Sequence, residues 1–421
     1  MTDPAGLPAG GAPPPGCPAH AGAVRLAGLE YRQTPAQLYR ALRREHGAIA
    51  PVLLDGDIPA WLVLGYSEIS YITAHHELFA RDSRRWNQWP DIPDDWPLMP
   101  FVGYQPSVMF TEGEEHQRRA GVITDALEAV DQFELAQNCE DIAEGLINSF
   151  AGSGRAELVT EYAHALPLRT ALHLCGLPST STEADELVRD LRITLDTAPD
   201  EDQVTAYGRL AERVDRLIGD QRDSHGANLT SRMLAHPAGL TDEEVRADLI
   251  AILSAVQQQT SNWISNGLRL LLTDERFALN VAGGRLSVGQ ALNEVLWLDT
   301  PLQNFIGRWA VRDTQLGGQR IKAGDCLVLG LAAANTDLSI WPEGYVGAEN
   351  SAHLSFGNGE HGCPYPAPLL ADVIARTAIE TLLERLPDMV LSGEPEELVW
   401  RTSTWSRGLL ALPVEFTPVA R

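Results

Sequence analysis

Cys363 closes the stretch Phe356-Gly357-Asn358-Gly359-Glu360-His361-Gly362-Cys363 and precedes a helical pattern running from Leu369 to Leu386. A thiolate here is a soft ligand for a metal ion, and its neighbours suit that task. Gly357 and Gly359 accept backbone angles closed to other residues and leave room for a flat group to approach. A following helix N-terminus with its free N–H groups favours a negative sulfur. The plain alternative is a buried free cysteine on a turning chain. Cys17, Cys139, Cys175 and Cys326 are scattered and form no CxxC pair. That argues against a zinc site or a disulfide framework and for a reducing compartment.

Phe356, Gly359, His361 and Cys363 match the spacing Phe-x-x-Gly-x-His/Arg-x-Cys-x-Gly, and through them the chain resembles the cytochrome P-450 family. Tyr365 stands where that signature ends in glycine. The resemblance implies a mainly α fold with small β-sheets, one large domain, and a haem b between a central helix and the cysteine loop. Cys363 is then the axial iron ligand, a thiolate that favours O–O cleavage. Phe356 and Gly359 shape the cofactor site, and His361 donates to a haem propionate.

Other landmarks follow in the family's order. His116, on a helix opening at Glu114, matches a propionate ligand; the arginine usual four residues later is Ala120, leaving Arg119 as a candidate. Arg308 lies in a strand reading Phe305 to Ala310 and matches the family's propionate-binding arginine. The pattern Glu244 to Thr273 is apolar at helical spacing and resembles the central helix, with Val256 expected against substrate. Where the family has an acid and an alcohol that deliver protons, this chain has Gln258 and Gln259, followed by Thr260. An amide holds a water but does not exchange a proton near neutral pH as a carboxylic acid does. A shift of one residue makes Thr260 the working alcohol. Glu294 begins the family's Glu-x-x-Arg, but Trp297 replaces the arginine and Ala348 occupies the usual position of its loop partner. An actinobacterial subgroup shares that tryptophan. Glu294 is then expected to bond backbone N–H groups or to be protonated.

The stretch Arg84 to Met109 holds Trp86, Trp89, Trp96 and five prolines with few helical signals. Long irregular loops in compact proteins are usually functional, and the resemblance places this one over the distal face of the haem. Trp86 and Trp89 are expected to face a flat, aromatic ligand; the alternative is that they pin the loop to the core. The reaction expected from the resemblance is oxidation of an aromatic natural product, including C–C or C–N coupling of a cyclic dipeptide, with a nucleobase as one partner. Hydroxylation or epoxidation of a small apolar secondary metabolite is the second expectation, and a non-catalytic haem sensor the third. Electrons are expected from NAD(P)H through ferredoxin reductase and a ferredoxin-type partner.

The elements that must position these residues are legible in outline. Residues 1–20 are rich in Pro, Gly and Ala and read as a disordered arm, with the domain from 21 to 421. Pro35 to His46 reads as a helix, and Pro51 to Leu54 and Ala60 to Leu64 as strands joined through Asp55-Gly56-Asp57. Helical patterns dominate from Glu114 to Thr273, and a strand returns over Asp325 to Leu329. A net charge of -25 repels nucleic acid and anionic membrane surfaces. The absence of a signal peptide and of a long apolar run predicts a cytoplasmic protein.

Overall fold

Strands from before and after the long helical stretch meet in one sheet, apart from the larger helical core. The computed structural model describes residues 20, 22–26, 31, 34–195, 202–224, 226–338, 340 and 350–419. Nearly all of the proline-rich arm and Ala348 lie outside them.

One body is a six-stranded sheet. Its strands are β1 (Val24–Arg25), β2 (Ile49–Leu54), β3 (Ile58–Val63), β4 (Phe79–Ala80), β5 (Phe305–Ala310) and β6 (Cys326–Leu329), in the order β1-β2-β3-β6-β5-β4. The two early strands are joined by a single helical turn over Asp55–Asp57 in which Gly56 takes φ 74°. β3 runs parallel to β6, and β6 antiparallel to β5.

The register of β5 against β6 slips between Ile306 and Arg308, a β-bulge. Ile306 and Trp309 pack into one side of the sheet, and Phe305 and Ala310 into the other. Simple alternation of Arg308 with Phe305 and Ala310 is therefore not what orients it; the bulge re-aims the side chain. Gly307 has φ 23°, and a Cβ there would lie 2.9 Å from the Trp309 ring, so only glycine fits.

The helical body holds the larger core. Among its helices are α1 (Tyr66–Ala74), α2 (Gly113–Glu128), α3 (Gln132–Phe150), α4 (Asp242–Ala255), α5 (Ser261–Thr273), α6 (Glu275–Ala282), α7 (Val288–Leu298) and α8 (Ala367–Arg385). α4 starts on a capping box between Thr241 and Glu244, with Asp242 and Glu243 also favoured at the positive helix end. α4 and α5 are two halves of the expected central helix, joined by one π turn, Val256–Thr260. Leu249, Leu253, Ile264 and Leu268 along it are fully buried, each contributing about 2 kcal/mol of apolar burial. α8 packs along α3 through Val373, Ile374 and Ala378 and so fixes the loop that precedes it. Among the described residues, no helix is long and apolar enough to cross a membrane.

Candidate cofactor site

The cysteine loop is a set of short backbone bonds. Gly357 N–H donates to the Leu354 carbonyl at 2.8 Å, Cys363 N–H to Phe356 at 2.8 Å, and Gly362 N–H to Gly359 at 2.9 Å. Gly357 and Gly359 have φ 74° and 72°. Gly359 is also held by space, since a Cβ would sit 2.6 Å from the Thr73 carbonyl at the end of α1. Phe356 wedges the loop edge-on against Trp263 of α5, ring centroids 5.9 Å apart.

Cys363 borders open space on one side and is crowded by protein on the others; that crowding pushes its thiol up to about 12. The expected help from a helix N-terminus is small, because α8 begins at Ala367 and, among the described residues, no N–H donates to Sγ. A thiol so placed gives up its proton only to a cation such as iron, which deprotonates a coordinating sulfur outright.

Beside the loop lies a cluster of cationic side chains. Arg308 is 2% exposed, and its Nη1 donates to the Gly307 carbonyl at 3.0 Å. Arg81 is 1% exposed and donates to Met109, Ile306 and Gly307 carbonyls at 2.9, 2.7 and 2.8 Å. Neither forms an ion pair among the described residues. Burial lowers Arg81 to about 10 and lowers Arg308 well below the ordinary guanidinium range, with Arg81 adding to the shift of Arg308. His361 is lowered by burial and then by Arg308 and His116 nearby. Its ring lies 3.9 Å from that of His116, and its buried Nδ1 has no partner. Buried cations without counter-ions are costly. The cluster therefore fits a group that brings its own negative charges, as a haem does with two propionates.

His116 and Arg119 sit differently from expectation. Both His116 ring nitrogens face carbonyl oxygens, Val108 and Glu360, at 3.1 Å. His116 thus ties α2 to the cysteine loop, and a propionate reaches it only by displacing one of those carbonyls. Arg119 does not serve the cofactor. Its fork closes on Asp248 of α4 at 2.9 and 2.6 Å, both side chains buried.

The π turn carries the residues expected to handle oxygen. Gln259 Nε2 donates weakly to Ser406 at 3.3 Å and Gln258 at 3.4 Å, while its buried Oε1 has no partner. Thr260, buried, completes the turn. Gln258 lines a cavity of about 30 Å³ with Gln257, Asn262, His164, Arg192 and Ser406, space for a water among polar groups. Val256, expected against substrate, packs on the helical core; the open face belongs to Ala255.

Glu294 is not left to backbone donors or protonation. Arg276 of α6 reaches it at 2.7 Å. Trp297 takes up the other task of the missing arginine, since its indole N–H donates to the Asn350 carbonyl at 2.6 Å and its ring meets His353 edge-on.

Trp86 and Trp96 are 3% and 2% exposed and form one aromatic cluster with Trp89 under the sheet. Trp86 is therefore a core residue and offers no face to a ligand. Trp89 donates to Ser83 at 2.6 Å and borders an open groove with Met99, Pro100 and Tyr104. Sequence reasoning missed Arg81, Asp248 and Arg276. The signal for Asp248 was an acid on an otherwise apolar stripe, and for Arg276 a cation on the helix preceding Glu294. Arg81 stands near Arg84 and Arg85 in the sequence, and nothing local distinguishes it from them.

Known proteins resemble this chain over nearly its whole length. The vitamin D(3) 25-hydroxylase of Pseudonocardia autotrophica is 29% identical over 394 residues, covering 92% of this chain and 94% of that protein. The cytochrome P-450 monooxygenase PikC of Streptomyces venezuelae is 28% identical over 399 residues, 92% of each. Among solved structures, CYP154A1 of Streptomyces coelicolor superimposes with a TM-score of 0.79 at 27% identity, covering 91% of this chain and 98% of that one. Testosterone-bound CYP154C4 from a Streptomyces species gives a TM-score of 0.83 at 24% identity over 94% and 98%, a likeness of fold. No protein-family profile matches the chain.

Proposed function

We propose that this chain, which belongs to the cytochrome P-450 family of haem-dependent monooxygenases, oxidises an aromatic secondary metabolite by a route that includes oxidative coupling. The observation that carries the coupling is the π turn, where amides replace the acid and the alcohol. A thiolate-held haem supplies dioxygen activation when bound. Cys363 would hold it, and Arg308 and His361 would take its propionates. Gln259 presents an unpaired carbonyl oxygen at the buried turn, an acceptor that holds a water or a substrate N–H. Neither glutamine exchanges a proton near neutral pH, so oxygen insertion assisted by an acid on this turn is disfavoured. In coupling, each of two bound partners loses one hydrogen atom and the radicals join, both hydrogens leaving in the two waters formed from dioxygen, two electrons and two protons. With the protons drawn from water, the amides of the turn serve to position the partners. A cyclic dipeptide, with or without a nucleobase, presents flat rings and amide N–H groups matched to such acceptors. Electrons come from NAD(P)H through a ferredoxin reductase and a ferredoxin.

The second reading is hydroxylation, favoured by Thr260 inside the π turn and by the hydroxylase names among the relatives. Turnover under ¹⁸O-labelled dioxygen separates the two. Coupling leaves no label in the product, and stoichiometric label in a high-yield product ends the coupling proposal.

A further inference from the structure

We propose that Arg81, at the end of β4, supplies the second guanidinium for the cofactor's carboxylates and so replaces the helix cation absent at Ala120. The inference rests on the haem reading above. It adds a residue from another element, far from any motif, to the anchoring site.

Two guanidiniums converge on one acceptor, since Arg81 and Arg308 both donate to the Gly307 carbonyl, at 2.8 and 3.0 Å. Cations drawn to one point repel each other, and among the described residues neither makes an ion pair; Glu112 and Glu360 offset the repulsion only in part, Glu112 being engaged by the Arg81 and Asp82 backbone N–H groups at 2.5 and 2.9 Å. Two buried positive charges are matched by a group bearing two carboxylates.

The side chain is held before any ligand arrives. Its Cζ lies over the rings of Phe305 and Phe110, 4.7 and 5.6 Å from their centroids, and its Nε and Nη1 are fixed by three backbone carbonyls. Nη2 is left for an anion. Such preorganisation lowers the ordering cost of a charge-assisted bond. The other candidate on α2, Arg119, is committed to Asp248 and cannot turn toward the loop. The bulge at Gly307 sends its carbonyl to both arginines, so the two cations are placed by one irregularity of the sheet.

A purely structural role, pinning the loop before α2 to β5, predicts something different. The two are separated by reconstituting the protein with haem or with haem dimethyl ester, which lacks the propionate charges, and measuring dissociation of each to a scavenger protein. Wild type releases the ester faster than haem. Arg81→Met should cut that preference by about tenfold, the size of one charge-assisted bond, while Arg81→Lys keeps part of it. Arg84→Met, which removes an exposed cation paired with Asp82, should leave the preference unchanged. Equal acceleration of both cofactors in Arg81→Met and Arg81→Lys, or an unaltered preference, overturns the proposal. Should Arg81→Met fail to fold, Arg81→Lys alone decides: a preference equal to wild type's or to Arg84→Met's contradicts a geometric role for the fork. If wild type binds neither cofactor, the haem reading itself has failed.

Discussion

The loop side and the helix side of the site solve opposite problems. Near the loop, Arg81, Arg308, His116 and His361 crowd positive or protonatable groups together with no ion pair among the described residues, Glu112 and Glu360 offsetting the charge only in part. On the π turn, Gln257, Gln258, Gln259 and Thr260 carry no charge at all. The first arrangement is strained until an anion arrives, so it specifies a cofactor. The second is neutral and partly unsatisfied, so it specifies hydrogen-bonding geometry and carries no acid, only the Thr260 hydroxyl.

That contrast breaks most visibly at Arg308. Arg308→Met should weaken haem retention by about 100-fold, the loss of two charge-assisted bonds. Unchanged retention in a haem-dissociation assay would mean the cationic cluster is not an anchor.

A smaller effect is expected in the loop's support. Gly359→Ala puts a methyl group against the Thr73 carbonyl at a positive φ and should cost about 2 kcal/mol. Chemical denaturation of the haem-free protein reads this, and a midpoint equal to wild type's contradicts the packing described.

Next comes the replaced glutamate network. Arg276→Met leaves buried Glu294 without its partner, and because Arg276 is more than half exposed the loss should be near 1 kcal/mol. Pairing it with Glu294→Gln should return most of the loss. Additive losses in the double variant would mean that the two side chains are not coupled.

The subtlest test sharpens the helix side. Gln258→Glu puts a titratable acid beside Arg192 and His164 in the small polar cavity. It should raise, severalfold, the product formed per dioxygen consumed. An oxygen-uptake assay showing the same yield as wild type would remove the argument from the missing acid.

How much of this was legible follows from where each constraint lies in the chain. The cysteine loop and Arg308 are marked by their resemblance to a family pattern, while the helix Pro35–His46 and strand Phe305–Ala310 follow from local periodicity. The bulge that aims Arg308 is a property of two strands together, and alternation within one strand conceals it. Arg81 meets two of its three carbonyls more than 200 residues away, so nothing near it in sequence marks it. Trp86 illustrates the converse: an aromatic residue in an irregular loop serves either a ligand or the core, and only packing against Trp89 and Trp96 decides. Arg276 stands one helix before Glu294, outside the Glu-x-x-Arg window where a partner is sought.

Everything above depends on a thiolate at Cys363. Its most direct test is the absorption spectrum of the reduced, carbon monoxide-bound holoprotein, recorded for wild type and Cys363→Ser. The account predicts the strongly red-shifted Soret band of a thiolate-ligated haem in wild type and its loss in the variant. A variant that keeps that band, or a haem-replete wild type that never shows it, contradicts the assignment.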